Sequence, residues 1–143
     1  MSWADLETSL APVPEFRVQP PDGKRQWREI DRQVTFRRLM RETAPRVMVE
    51  ANANAGKRNP ATARKEGICA GVFDMTVAFR APLIAWVEFK GYAGGRPGKL
   101  SDAQVDWGNR RHQLGYPVAC FFDPYAAVEW LREQGFPIAG LRA

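Results

Sequence analysis

Glu88 and Lys90 stand two residues apart in the apolar run Leu83–Lys90. Side chains on a strand alternate between faces, so the carboxylate and the ammonium share one face with Trp86, while Val87 and Phe89 point to the other, apolar side. The preceding run, Gly71–Phe79, carries Asp74 and is joined to the first by Arg80, Ala81 and Pro82, a hairpin-length connection. Pairing of these runs would set Asp74 beside Glu88. A hard divalent cation takes carboxylate and carbonyl oxygens, so Asp74, Glu88 and the main-chain carbonyl of Phe89 are a candidate ligand set for Mg²⁺ or Mn²⁺. A cation held there would polarise a phosphoryl group and lower the pKa of a bound water. Lys90, a compact point charge, would orient that water or stabilise charge building on phosphorus.

An acid-x-Lys triplet alone is a weak signal. With sixteen acids and five lysines, one arises roughly once in every two chains of this composition. The plain structural reading of Glu88 and Lys90 is a solvated ion pair. Pro21-Asp22-Gly23-Lys24 spells the same pattern in a proline-rich stretch, with no strand to fix its geometry, and is set aside.

The elements that must position these groups are legible in outline. Residues 1–24 read as a proline-rich arm, with Pro12, Pro14, Pro20 and Pro21 breaking regular structure. Residues 25–143 read as one domain. From Arg25 to Thr43, Trp27, Ile30, Val34, Phe36, Leu39 and Met40 recur at largely helical spacing, and Pro45 closes the helix. Val47–Val49 is a short strand candidate, Ala51–Lys65 a long polar and basic loop, and Gly91–Lys99, with four glycines, a mobile loop. Ser101 opens a helix reaching about Leu114, with Ser101-Asp102-Ala103-Gln104 as a capping box and Gly115 as its stop. Tyr116–Phe122 is a buried strand, and Asp123-Pro124 starts a last helix ending near Gly135. The order α-β-β-β-α-β-α predicts an α/β fold, a mixed sheet flanked by helices.

Composition narrows the partners. The formal charge is +5, and sixteen of the twenty-one basic residues are Arg, a surplus that suits a polyanion such as nucleic acid. Cys69 and Cys120 lie far apart in apolar stretches without a Cys/His cluster, which argues against zinc and for reduced, buried thiols in a cytoplasmic protein. No apolar run is long enough to span a membrane, and the N-terminus lacks a signal-peptide pattern. Lys57, Arg58, Arg64 and Lys65 lead into Asp74 and are candidate phosphate contacts, as, with less support, are Arg96 and Lys99. The single histidine, His112, sits among Arg110, Arg111 and Gln113 and reads as a helix-surface residue.

Taken in order, Asn54-Ala-Gly-Lys-Arg, Lys65-Glu-Gly-Ile-Cys-Ala-Gly-Val-Phe-Asp74, Trp86-Val-Glu-Phe-Lys90, Leu100-Ser-Asp-Ala-Gln104 and Gly115 resemble the VRR-NUC family, the virus-type replication-repair nucleases of the PD-(D/E)xK superfamily. The resemblance covers roughly residues 25–135 and implies a restriction-endonuclease-like core. It implies that Asp74 and Glu88 are metal ligands, that Lys90 is the catalytic lysine, and that Gln104 lies near the site. Gln104 has an equal structural reading as the third residue of its capping box. Among first-helix acids Glu29 matches best, because Gln33 follows at the family's spacing; Asp31 and Glu50 are rivals, and the plain reading of Glu29 is a solvated helix residue. Asn54 matches an asparagine of the loop before the core. Phe73 departs from the proline that relatives often place before the aspartate.

The activity so implied is metal-dependent DNA endonuclease chemistry in the cytoplasm of a bacterial or phage-infected cell. By the same resemblance the protein would be a homodimer, acting on branched DNA such as a four-way junction. A non-catalytic basic nucleic-acid-binding accessory protein that keeps the fold is the alternative. A third reading is a structural subunit whose carboxylates merely pair with arginines.

Overall fold

The computed structural model describes residues 2–52, 61 and 69–140, with the main chain alone for 6–9. Helix α1 is Trp3–Leu10, strand β1 Arg17–Val18, helix α2 Glu29–Thr43, β2 Met48–Ala51, β3 Met75–Ala78, β4 Ile84–Phe89, β5 Tyr92–Ala93, β6 Arg96–Pro97, α3 Asp102–Gln113, β7 Val118–Phe121 and α4 Pro124–Glu133. The main sheet has the order β1-β7-β4-β3-β2. β3 pairs antiparallel with both β2 and β4, whereas β7 is parallel to both β4 and β1. The result is a mixed α/β fold, a five-stranded mixed sheet flanked by helices.

Strand alternation divides the core. Met75, Val77, Ala85, Val87, Phe89, Ala119 and Phe121 form one apolar face, packed with Phe36, Leu39 and Met40 of α2 and Val128 and Leu131 of α4. The opposite face carries Val118 and Cys120, which with Phe73, Phe16 and Trp107 of α3 make a second, smaller cluster. Gly108 of α3 is needed there: a Cβ at that position would stand 2.5 Å from the Phe16 ring and 2.9 Å from Phe73.

Several local expectations are altered by the tertiary structure. Within residues 1–24, α1 forms ahead of the prolines, β1 joins the sheet beside β7, and Phe16 is buried. β1 survives in a proline-rich stretch because Arg17–Val18 contains no proline and can pair in the ladder. The segment 91–99 forms the two-stranded hairpin β5–β6, with Gly94 and Gly95 at φ 58° and 75° supplying its turn. Ile30 and Val34 face solvent, and the buried stripe of α2 instead runs through Arg32, Phe36, Leu39 and Met40. Of the two thiols, Cys120 is buried but Cys69 is exposed.

Arg32 is fully buried at 0% exposure. It is tolerated because every part of its guanidinium is occupied. Nη1 donates to Asp22 Oδ2 at 2.7 Å and to the Phe122 carbonyl, Nη2 to Asp22 Oδ1 and the Lys24 carbonyl, and Nε to the Trp27 carbonyl. The group also lies over the rings of Trp27, Tyr92 and Phe122. Asp22 of the discarded Pro-Asp-x-Lys string is thus a folding partner. Partial burial pushes its carboxyl upward, but the bonds and charge of Arg32 outweigh that and hold it below the usual range.

Candidate active site

β3 and β4 pair Met75 with Val87, so the next residues outward, Asp74 and Glu88, stand opposite one another on the α3 side of the sheet. Their contact is reciprocal. The Asp74 N–H donates to Glu88 Oε1 at 3.0 Å, and the Phe89 N–H donates to Asp74 Oδ2 at 2.9 Å. The Phe89 N–H therefore faces the Asp74 edge of β4, and in an extended strand the carbonyl of the same residue faces that edge too. Beyond β4, Lys90 Nζ lies 3.3 Å from Glu88 Oε2, with Lys90 13% and Glu88 1% exposed. The plain reading of this pair as solvated does not hold.

Glu29, at the first position of α2, completes a cluster: one carboxylate oxygen from each of Glu29, Asp74 and Glu88 lies within 4.8 Å of the others. Asp31 instead pairs with Arg28, and Glu50 is exposed on β2. Glu29 can reach the site because Gly91 follows Lys90. A Cβ at Gly91 would fall 2.3 Å from the Glu29 nitrogen, so only glycine admits α2 this closely. Gln33, one turn on from Glu29 and on the same helix face, lies close enough to Asp74 to pull its carboxyl downward. The i, i+4 spacing was the available sequence signal for that contact.

Gln104 makes two contacts. Its Oε1 accepts from the Ser101 N–H at 3.0 Å, closing the capping box, and its Nε2 donates to Glu88 Oε2 at 2.9 Å. The helix end is brought there by Gly71, at φ 81°, whose Cβ would collide with the Ala103 carbonyl at 2.2 Å. Asn52 braces the other flank: its N–H donates to the Asp74 carbonyl at 2.8 Å, and its Nδ2 to the Phe73 carbonyl and to Thr76 Oγ1. Sequence reasoning did not single out Asn52, Gly71 or Gly91, because each matters only through a contact with a distant segment. Asn54, Lys57, Arg58, Arg64 and Lys65 lie outside the described residues.

The electrostatics follow from crowding acids away from water. Burial first, then the charges of Asp74 and Glu29, push the Glu88 carboxyl up to about 8 against the opposing charge of Lys90. Burial also raises Asp74, against the pull of the Phe89 N–H, Lys90 and Gln33. Cys120 pairs with Glu88 across β7, and burial raises its thiol well above the ordinary value, so it is an inert neighbour rather than a nucleophile. Such a cluster is short of positive charge at neutral pH. Its donor set, three carboxylates with a carbonyl edge beside them, fits a hard divalent cation.

Trp86 lies edge-on to Trp107 and Tyr116, and His112 is exposed on α3. Among the described residues no helix is long and apolar enough to cross a membrane. The chain matches no protein-family model, no curated protein and no solved structure with which it was compared.

Proposed function

We propose that this protein is a metal-dependent nuclease that hydrolyses phosphodiester bonds in DNA, on a restriction-endonuclease-like core. The observation that carries the reading is the convergence of Glu29, Asp74 and Glu88 within 4.8 Å, with the Lys90 amine 3.3 Å from Glu88. The resemblance of the ordered motifs from Asn54 to Gly115 to VRR-NUC nucleases supports it independently, as does the Arg-rich surplus of positive charge.

Glu29, Asp74 and Glu88 would hold Mg²⁺ or Mn²⁺, with the Phe89 carbonyl at the same edge. The bound cation supplies Lewis-acid polarisation of a phosphoryl oxygen and a more acidic water. The protein's own groups do the rest. Lys90 presents a positive charge beside the scissile phosphate, where it orients the attacking water and offsets the negative charge of the transition state. Gln104 and the Asp74 N–H hold the two Glu88 oxygens in fixed directions, so the carboxylate need not reorganise when a ligand arrives. The Phe89 N–H does the same for Asp74. By the resemblance, the working form is a homodimer that sets two sites against two strands of branched DNA.

The test is cleavage of branched, flapped and duplex DNA in Mg²⁺, Mn²⁺ or EDTA by the wild type, Glu88→Ala and Lys90→Ala. Metal-dependent product from the wild type, and none from either variant while DNA binding persists, is expected. Undiminished cutting by both variants eliminates the proposal. Salt-sensitive binding without product in any metal would instead favour the non-catalytic accessory protein.

A further inference from the structure

An open groove of about 730 Å³ lies between the start of α2, where Glu29 lines it, and the β5–β6 hairpin. Arg25, Gln26 and Arg28 line one wall, and Tyr92, Gly94 and Gly95 the other. Glu29 lines the groove and also belongs to the carboxylate cluster, so the two adjoin at this residue. We propose that this groove seats the sugar-phosphate backbone of DNA flanking the cleavage point, with Arg25 and Arg28 each contacting a phosphate. The proposal rests on the nuclease reading for its substrate.

Charge complementarity selects the occupant. Arg25 is exposed, and Arg28 is 70% exposed, with only its Nε and Nη2 turned toward Asp31. A solvated pair of that kind contributes little to stability, so the Arg28 guanidinium can turn to a phosphate at small cost. Arginine's planar fork matches phosphate oxygens.

The walls are also built to hold their shape. The turn from residue 22 to 28 is tied down by buried Arg32, which donates to the Lys24 and Trp27 carbonyls. The facing wall is bound to the same turn, since the Tyr92 N–H donates to the Trp27 carbonyl and the Tyr92 hydroxyl accepts from the Gly23 N–H at 2.8 Å. At the hairpin tip an added Cβ on Gly94 or Gly95 would meet nothing within 4 Å, so that edge stands clear and lets a backbone approach closely. The groove is therefore preformed, and DNA need not order it on binding.

The experiment measures binding of a labelled duplex by fluorescence anisotropy in EDTA, across roughly 50 to 200 mM salt. The variants are Arg25→Gln, Arg25→Gln/Arg28→Gln and, as a control remote from the groove, Arg132→Gln. Loss of two phosphate contacts should lower the slope of log affinity against log salt by about 1.8, and loss of one by about 0.9. The double variant would then lose about twelvefold less affinity than wild type over that salt range. A wild-type slope in the double variant, or an equal drop in Arg132→Gln, overturns the proposal. The two readings fail separately. Cleavage by the wild type with an unchanged slope in the double variant removes the groove and keeps the nuclease. A reduced slope with no product from wild type in any metal does the reverse.

Discussion

Replacing Glu88 by Gln should flatten the dependence of stability on pH. In the folded protein burial, Asp74 and Glu29 raise the Glu88 carboxyl from 4.5 to about 8. The folded state therefore holds a proton that the unfolded chain releases between those values. This contribution is fully present below about pH 4.5, declines as pH rises, and is lost by about pH 8. With one proton and those two values, the wild type should lose about 2–3 kcal/mol of stability between roughly pH 5.5 and 7.5 from this group. At about 2–4 °C per kcal/mol, that is a fall in Tm of roughly 5–10 °C. Glu88→Gln cannot ionise. Its amide would face the donors Gln104 Nε2 and Lys90 Nζ, which offsets its whole curve but leaves that slope absent.

Urea or thermal unfolding of both proteins in EDTA, at several pH values across that window, measures the difference. The difference is the proper readout because Asp22 and Asp74 titrate in both proteins. Mg²⁺ should restore stability to the wild type chiefly at the alkaline end, where the cation no longer competes with a proton. Parallel pH profiles for wild type and Glu88→Gln would refute the reasoning, since burial would then not be what governs this carboxyl.

Further outcomes follow from particular contacts. Gly91→Ala should cost about 1–3 kcal/mol by pushing the start of α2 away, and should weaken metal-dependent cleavage more than DNA binding, because it is Glu29 that moves; wild-type melting and activity would contradict the packing. Gln104→Glu keeps the capping-box oxygen but sets a second carboxyl where Nε2 meets Glu88 at 2.9 Å. Its destabilisation relative to Gln104→Ala should therefore grow from acid to neutral pH, in melts monitored by circular dichroism. Arg32→Lys should destabilise by about 3–5 kcal/mol in urea titrations, because an ammonium cannot span Asp22 and three carbonyls at once; a loss below about 1 kcal/mol would show that the network contributes little.

The sequence by itself determined what depends on neighbours along the chain. The two-residue period of a strand put Glu88 and Lys90 on one face, and the short link at Arg80–Pro82 made Asp74 their neighbour. The Ser101 capping box and the Asp123-Pro124 helix start were likewise readable, because capping is satisfied within a single turn. Tertiary structure alone decided what depends on segments far apart. It brought Glu29, rather than Asp31 or Glu50, beside Asp74 and Glu88, through the close approach that Gly91 permits. It gave Gln104 a second partner on β4, placed Arg32 in the buried stripe of α2 by supplying Asp22 and backbone carbonyls, and recruited Arg17–Val18 into the sheet. Helical and strand periodicity register polarity, and so misread a buried charge whose compensation arrives from elsewhere in the chain.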